Sequence, residues 1–211
     1  MTLVRETVRH AAIGVAVADR PDDLTAFLKP GCAAAIWRRR PEPGFQSWVD
    51  ALGPANLPQG RIVLRPDNVH QALSQLCKCA DTPEGVEQDW LIDDATALAR
   101  LFADLMSARY LRLRLQAVTT NACRKFHIDA IKARLVCTYR GVGTQYGMST
   151  DGHDPKRVFT VPTGAPILLR GTLWPSSPPS GLLHRSPPME GTGETRLVFV
   201  VDAVDDPEDE A

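Results

Sequence analysis

The sequence predicts an α+β fold, a largely helical N-terminal part packed on a C-terminal β-sandwich or barrel. Three observations carry this expectation. From about Gln88 to Ala108, the residues Leu91, Ala95, Leu98, Leu101, Phe102, Leu105 and Met106 recur near helical spacing and form one apolar face. At Leu111 the period drops to two, with Leu111, Leu113 and Leu115 alternating with Arg112, Arg114 and Gln116. Beyond it, short apolar runs separated by turn residues continue to Val204, the signature of a sandwich or barrel.

The elements follow in order. Arg20-Pro21-Asp22-Asp23 and Lys29-Pro30-Gly31 read as turns, and Ala33–Arg39 as a strand that Pro41-Glu42-Pro43-Gly44 breaks. Phe45–Leu52 reads as a short amphipathic helix and Arg61–Leu64 as a strand. Asp67 or Asn68 can cap a helix running to about Ala80, which Pro83 and Gly85 separate from the long one. After the Leu111 strand, candidates are Lys125–Ile128, Ala133–Arg140, Arg157–Val161, Ala165–Arg170, Gly181–His184 and Thr195–Val204. Pro162-Thr163-Gly164 looks like a hairpin turn. The division is therefore 1–110 mixed and helical, 111–204 the β core, and 205–211 an acidic tail expected to be disordered.

Composition narrows the function classes. The 211 residues hold 24 basic and 25 acidic side chains, a net charge of −1 that offers no electrostatic footprint for nucleic acid or an anionic membrane. The apolar patch within Met1–Val17 is too short for a signal sequence, and no segment reaches the length of a membrane span. Five cysteines, an odd number, point to reduced thiols and a cytoplasmic protein. Cys77-Lys78-Cys79 is no zinc site, because on a helix residues i and i+2 point about 200° apart. Cys123 and Cys137 flank the central motif, and Cys137 reads as a small core hydrophobe. His10, His70 and His153 have no partner pattern. Gly141-Val142-Gly143 lacks the third glycine of a phosphate loop, and there is no Gly-x-Ser-x-Gly elbow.

The chemistry concentrates at Phe126-His127-Ile128-Asp129. On a strand, His127 and Asp129 project to the same face and can chelate one cation. His184 stands 57 positions after His127, behind the irregular stretch Trp174–Gly181, and supplies a third ligand. Two histidines and a carboxylate on one face leave the opposite coordination positions open, the facial triad of non-haem Fe(II) oxygenases.

This spacing resembles the Fe(II)/2-oxoglutarate dioxygenases of the prolyl-hydroxylase type, over about residues 111–204. The resemblance implies a double-stranded β-helix (jelly-roll, cupin-like), with Fe(II) held by His127, Asp129 and His184. It implies that a basic residue following the distal histidine binds the far carboxylate of 2-oxoglutarate. Arg196, 12 positions after His184, is placed for this, and Arg185 is the second candidate. Val198 stands where those enzymes carry Ser or Thr two residues after the arginine. Arg134–Thr144 resembles their tyrosine-bearing strand and glycine turn, which implies a cosubstrate contact for Tyr139. The strings around His127, Tyr139 and His184 are also similar to an uncharacterised bacterial domain of unknown function, which supplies no activity.

The expected activity is an Fe(II)- and 2-oxoglutarate-dependent oxygenase acting on an unidentified small-molecule or peptide substrate. Two rivals use the same residues. One is a zinc-binding or metal-homeostasis protein without oxidative chemistry, and the other a cupin-like binding module with no metal. Oligomeric state is open at this level.

Overall fold

The computed structural model describes residues 11–208. The chain runs β1 (Gly14–Ala18), β2 (Cys32–Trp37), α1 (Pro43–Ala51), β3 (Gly60–Leu64), α2 (Val69–Cys79), α3 (Val86–Met106) and β4 (Tyr110–Val118). It continues with β5 (Ala133–Arg140), β6 (Gln145–Met148), β7 (Phe159–Thr160), β8 (Pro166–Arg170), β9 (Leu182–Arg185) and β10 (Arg196–Val204). Among the described residues, seven strands form one sheet in the order β1-β2-β8-β5-β10-β4-β3, and three form a second in the order β7-β6-β9. Only the β1–β2 pair is parallel.

Alternation along the strands decides what each face of the large sheet meets. Leu111, Leu113 and Leu115 of β4, Leu135 and Tyr139 of β5, and Leu197, Phe199 and Val201 of β10 all point to one side. There they join Leu91, Ala95, Leu98 and Phe102 of α3 and Leu73 of α2 in the larger core. Each fully buried Leu or Phe contributes about 1.5–3 kcal/mol, so this face holds the helices to the sheet. Val136 and Ile167 with Val198 and Val200 point the other way, into a second core with Leu182 and the half-buried Tyr146 and Met148 of the small sheet. The molecule is thus layered as helices, large sheet, small sheet.

Several expectations need correction. The strands expected at Ala33–Arg39 and Arg61–Leu64 form as β2 and β3, but with the unforeseen β1 they join the large sheet, so the first half is not a largely helical part packed on a separate β core. Strand Lys125–Ile128 is absent; His127 makes a single bridge to His184 instead. Pro162-Thr163-Gly164 is no hairpin turn: β7 belongs to the small sheet and β8 to the large one, so the turn carries the chain between layers. Arg112 and Arg114 occupy the face opposite the helices and are half-buried there. The helix termini fall within two residues of expectation, although Asn68 makes no side-chain cap at α2. Cys77 is buried and Cys79 exposed, as their helical spacing requires. His10 and the end of the acidic tail lie outside the described residues. No helix among the described residues is long and apolar enough to cross a membrane.

Candidate metal centre

His127 and His184 are brought together by backbone. The His127 N–H donates to the His184 carbonyl and the His184 N–H to the His127 carbonyl, both at 3.0 Å. This doubly bonded antiparallel pair sets the two rings side by side, with centroids 4.5 Å apart. Asp129 follows in the loop leading to β5. That loop is fastened to the chain after β8: Thr172 N–H donates to the Asp129 carbonyl at 2.9 Å and Leu173 N–H to the Ile131 carbonyl at 3.0 Å. Only glycine fits at 171, because a Cβ there would lie 2.0 Å from the Ile131 oxygen and 2.7 Å from the Asp129 oxygen.

The three side chains converge. Ligand atoms of His127, Asp129 and His184 all lie within 4.8 Å of one another. Asp129 Oδ1 is 3.5 Å from His127 Nε2, and Asp129 Oδ2 is 3.0 Å from His184 Nε2. His127 Nδ1 lies 2.8 Å from the Lys125 carbonyl. Donation to that carbonyl places the ring proton on Nδ1 and leaves Nε2 free as a ligand, the usual outer contact of a metal-bound histidine.

Arg134 organises the carboxylates. Its Nη1 is 2.7 Å from Asp129 Oδ2, while Nε and Nη2 form a bidentate pair with Asp202 at 2.6 and 2.8 Å. Burial pushes the Asp129 carboxyl up, but hydrogen bonding with the two histidines and the Arg134 charge outweigh it and hold the group well below the usual carboxylate range. The His127 pKa is raised by its contact with Asp129 against burial, whereas burial lowers that of His184. Asp129 Oδ2 is buried between Arg134 Nη1 and His184 Nε2. An ionised carboxylate beside two imidazole nitrogens is a donor set that fits a first-row divalent cation.

The triad opens into a cavity of about 300 Å³ lined by His127, His184, Arg134, Arg114, Arg185 and Arg196, among others. A larger, shallower depression of about 620 Å³ near Gly141–Gly143 carries only Asp50, Arg140 and Glu194 as ionisable groups. It brings no ligand set together.

A family described as protein of unknown function (DUF1826) matches residues 18–202. The chain belongs to this DUF1826 family. No curated protein matches it. Among solved structures, it is similar to dioxygenase for auxin oxidation 1 from Arabidopsis thaliana, in a binary complex with 2-oxoglutarate. The identity there is 10% and the TM-score 0.54, over 92% of this chain and 93% of that one. The dioxygenase for auxin oxidation in rice matches at 12% identity with a TM-score of 0.52, over 91% of this chain and 83% of that one. At such identities the likeness is one of fold: the DUF1826 chain shares its overall architecture with dioxygenases of this type.

Within that architecture the remaining candidates part company. Arg196 is 1% exposed at the start of β10 and lines the triad cavity. Its Nε donates to the Val142 carbonyl at 2.6 Å and its Nη2 to Thr138 Oγ1 at 3.2 Å; no carboxylate faces it among the described residues. Burial without a counter-ion lowers its pKa to about 10. Arg185 sits nearer the rim, its Nε donating to Gln145 Oε1 at 2.8 Å and its guanidinium stacked 4.4 Å over the Phe126 ring.

The expected cosubstrate contact of Tyr139 is corrected. Strand alternation sends its ring to the helix side of the sheet, where it is fully buried and donates to Asp94 Oδ2 at 2.7 Å. Asp94 is in turn paired with Arg39, so Tyr139 belongs to a buried polar cluster beneath the helices. Four residues of the centre escape sequence reasoning: Arg134, Asp202, Thr138 and Arg114. A lone acid inside the apolar run of β10 was the available sign for Asp202.

Proposed function

We propose that this chain is an Fe(II)- and 2-oxoglutarate-dependent oxygenase in which His127, Asp129 and His184 hold the iron. The two facing sheets are read here as a double-stranded β-helix with the triad at its mouth. Arg196, and not Arg185, is the residue assigned to the distal carboxylate of 2-oxoglutarate.

The observation that carries the reading is the state of Arg196. A guanidinium taken out of water without a counter-ion costs several kcal/mol, and Arg196 is held so, in the same cavity as the triad. A passive metal holder has no use for such a group. A site that must receive a dicarboxylate does, because the incoming anion forms a charge-assisted bidentate pair with the waiting fork.

When bound, the iron supplies the oxygen activation that side chains cannot perform. The protein holds, orients and shields. His127 is oriented by its Nδ1 contact with Lys125, and Asp129 by Arg134. Arg196 is aimed by the Val142 carbonyl and Thr138. Val136, Val198 and Val200 supply apolar lining that keeps water from the cavity floor.

Anaerobic reconstitution with Fe(II) and measurement of succinate formed from 2-oxoglutarate tests this reading. One iron per chain with steady uncoupled turnover is expected. Stoichiometric zinc without turnover would make it a metal-homeostasis protein, and no stoichiometric metal would leave a binding module.

A further inference from the structure

Of the cavity arginines without a task in the cosubstrate assignment, Arg185 is held by Gln145 and Phe126, and one other is not so held. Arg114 of β4 lines the same cavity as His127 and His184 and is half-buried there. Among the described residues its guanidinium makes neither a side-chain hydrogen bond nor an ion pair. Its surroundings are cationic. Arg61 of β3 lies directly opposite it in register, and Arg61, Arg112, Arg114 and Arg134 share a crevice of about 120 Å³ with a single acid, Asp202. Both Asp202 oxygens are engaged by Arg134. Arg61 and Arg112 have interactions of their own. Burial first, then the charges of Arg134 and Arg61, lower its pKa, against a weaker opposing pull from Asp202 and Asp129.

Arg114 and Arg196 enter the cavity from different places on the sheet. Arg196 pairs in register with Val118, four residues along β4 from Arg114. At about 3.4 Å per residue the two arginines are anchored roughly 14 Å apart along the sheet. With Arg196 assigned to 2-oxoglutarate, Arg134 paired with Asp202 and Arg185 held by Gln145, Arg114 is the cavity arginine left over. A half-buried arginine among like charges costs stability, which an incoming anion would offset.

We propose that Arg114 binds an anionic oxygen group, a carboxylate or a phosphate, on the primary substrate of this site. The word substrate rests on the oxygenase reading; the anion site itself does not. A cavity of about 300 Å³ lies at the lower end of the range for ligand sites, so the part of the substrate that enters is small.

The test is a titration of ¹⁵N-labelled protein with inorganic phosphate and, separately, with benzoate, following arginine side-chain N–H signals. It is run on metal-free protein and again with Zn(II) and saturating 2-oxoglutarate. Saturable binding of at least one anion is expected in both forms, weakened tenfold or more in Arg114→Gln and largely restored in Arg114→Lys. The anion that binds tighter identifies the chemistry. Affinity for 2-oxoglutarate, measured by calorimetry, should stay within twofold in Arg114→Gln. Arg196→Gln should show the reverse, losing 2-oxoglutarate and keeping the test anion. Absence of saturable binding by both anions overturns the proposal, as does binding unchanged in Arg114→Gln. A fall of 2-oxoglutarate affinity in Arg114→Gln would make Arg114 a cosubstrate anchor and overturn it equally. If native protein binds no 2-oxoglutarate at all, the oxygenase reading fails, while the metal-free titration still decides the anion site.

Discussion

Thr138 stands directly opposite Val198 across the β5–β10 pair, and its hydroxyl accepts a hydrogen bond from Arg196 Nη2 at 3.2 Å. The hydroxyl that the dioxygenase resemblance places at 198 is thus delivered from the neighbouring strand, at the same height on the same face. Residues directly opposed across a ladder have Cβ atoms about 4.5–5.5 Å apart, so Thr138 offers Arg196 the hydroxyl partner that Val198 lacks.

The expected consequence is graded. Arg196→Gln removes the charge and should weaken 2-oxoglutarate by about 2–5 kcal/mol, as truncating one side of a buried charged pair does. Thr138→Val removes one aiming contact and should cost about 0.5–1.5 kcal/mol, with Thr138→Ser close to the parent. Calorimetric titration with 2-oxoglutarate separates the three. Equal binding by Arg196→Gln and the parent would remove Arg196 from the cosubstrate site.

Gly141 gives an independent handle on the same arginine. It has φ of +77°, and a Cβ added there would lie 2.9 Å from Arg196 Cγ and 3.1 Å from the Thr195 oxygen. Gly141→Ala therefore strains the backbone by about 1–2 kcal/mol and displaces Arg196 from beneath the turn. The melting temperature should fall by a few degrees and the KM for 2-oxoglutarate should rise, while metal content stays at the parent value. Loss of metal together with 2-oxoglutarate would mean that the variant damages the fold instead.

Asp129 separates a working oxygenase from a passive holder. Asp129→Ala leaves two neutral imidazoles, and metal content and succinate formation should both vanish. Asp129→Glu keeps the charge but lengthens the arm by a methylene, and errors near 1 Å cost on the order of 100-fold in rate. Metal retained with most turnover lost is the expected pattern. Parent-like activity in Asp129→Ala would refute the site.

Much of this centre was legible in the sequence, for identifiable reasons. His127, Asp129 and His184 converge although His127 lies on a lone bridge and not on the expected strand. The spacing of ligand types survives a change in local geometry. Arg196 was visible from its distance to His184. Tyr139 was misplaced because strand period alone states that neighbours alternate, not which set faces the site. Arg112 and Arg114 give no sign of the cavity for the same reason: polar residues every second position look identical whether they meet water or a polar cavity. β2 and β3 answer to the expected strands Ala33–Arg39 and Arg61–Leu64, whereas β1 escapes the sequence because it is five residues of Gly, Val and Ala, about which propensity says little.

The Arg134–Asp202 pair offers the sharpest division between stability and positioning. Asp202 is 2% exposed and binds Arg134 through both oxygens. Asp202→Asn should destabilise the fold by about 3–5 kcal/mol, because it strips one partner from a buried ion pair. Replacing both, as Arg134→Met with Asp202→Val, exchanges the pair for apolar groups and should recover part of that loss, the rest remaining because Asp129 also loses its arginine. The double variant nevertheless lacks the guanidinium that lies 2.7 Å from Asp129 Oδ2. Loss of an outer contact to a metal ligand typically costs 10- to 100-fold in affinity or activity, so the refolded double variant should bind metal about that much more weakly. Chemical denaturation and metal titration on the three proteins read the two effects separately. Parent-like metal affinity in the double variant would show that Arg134 serves the fold alone.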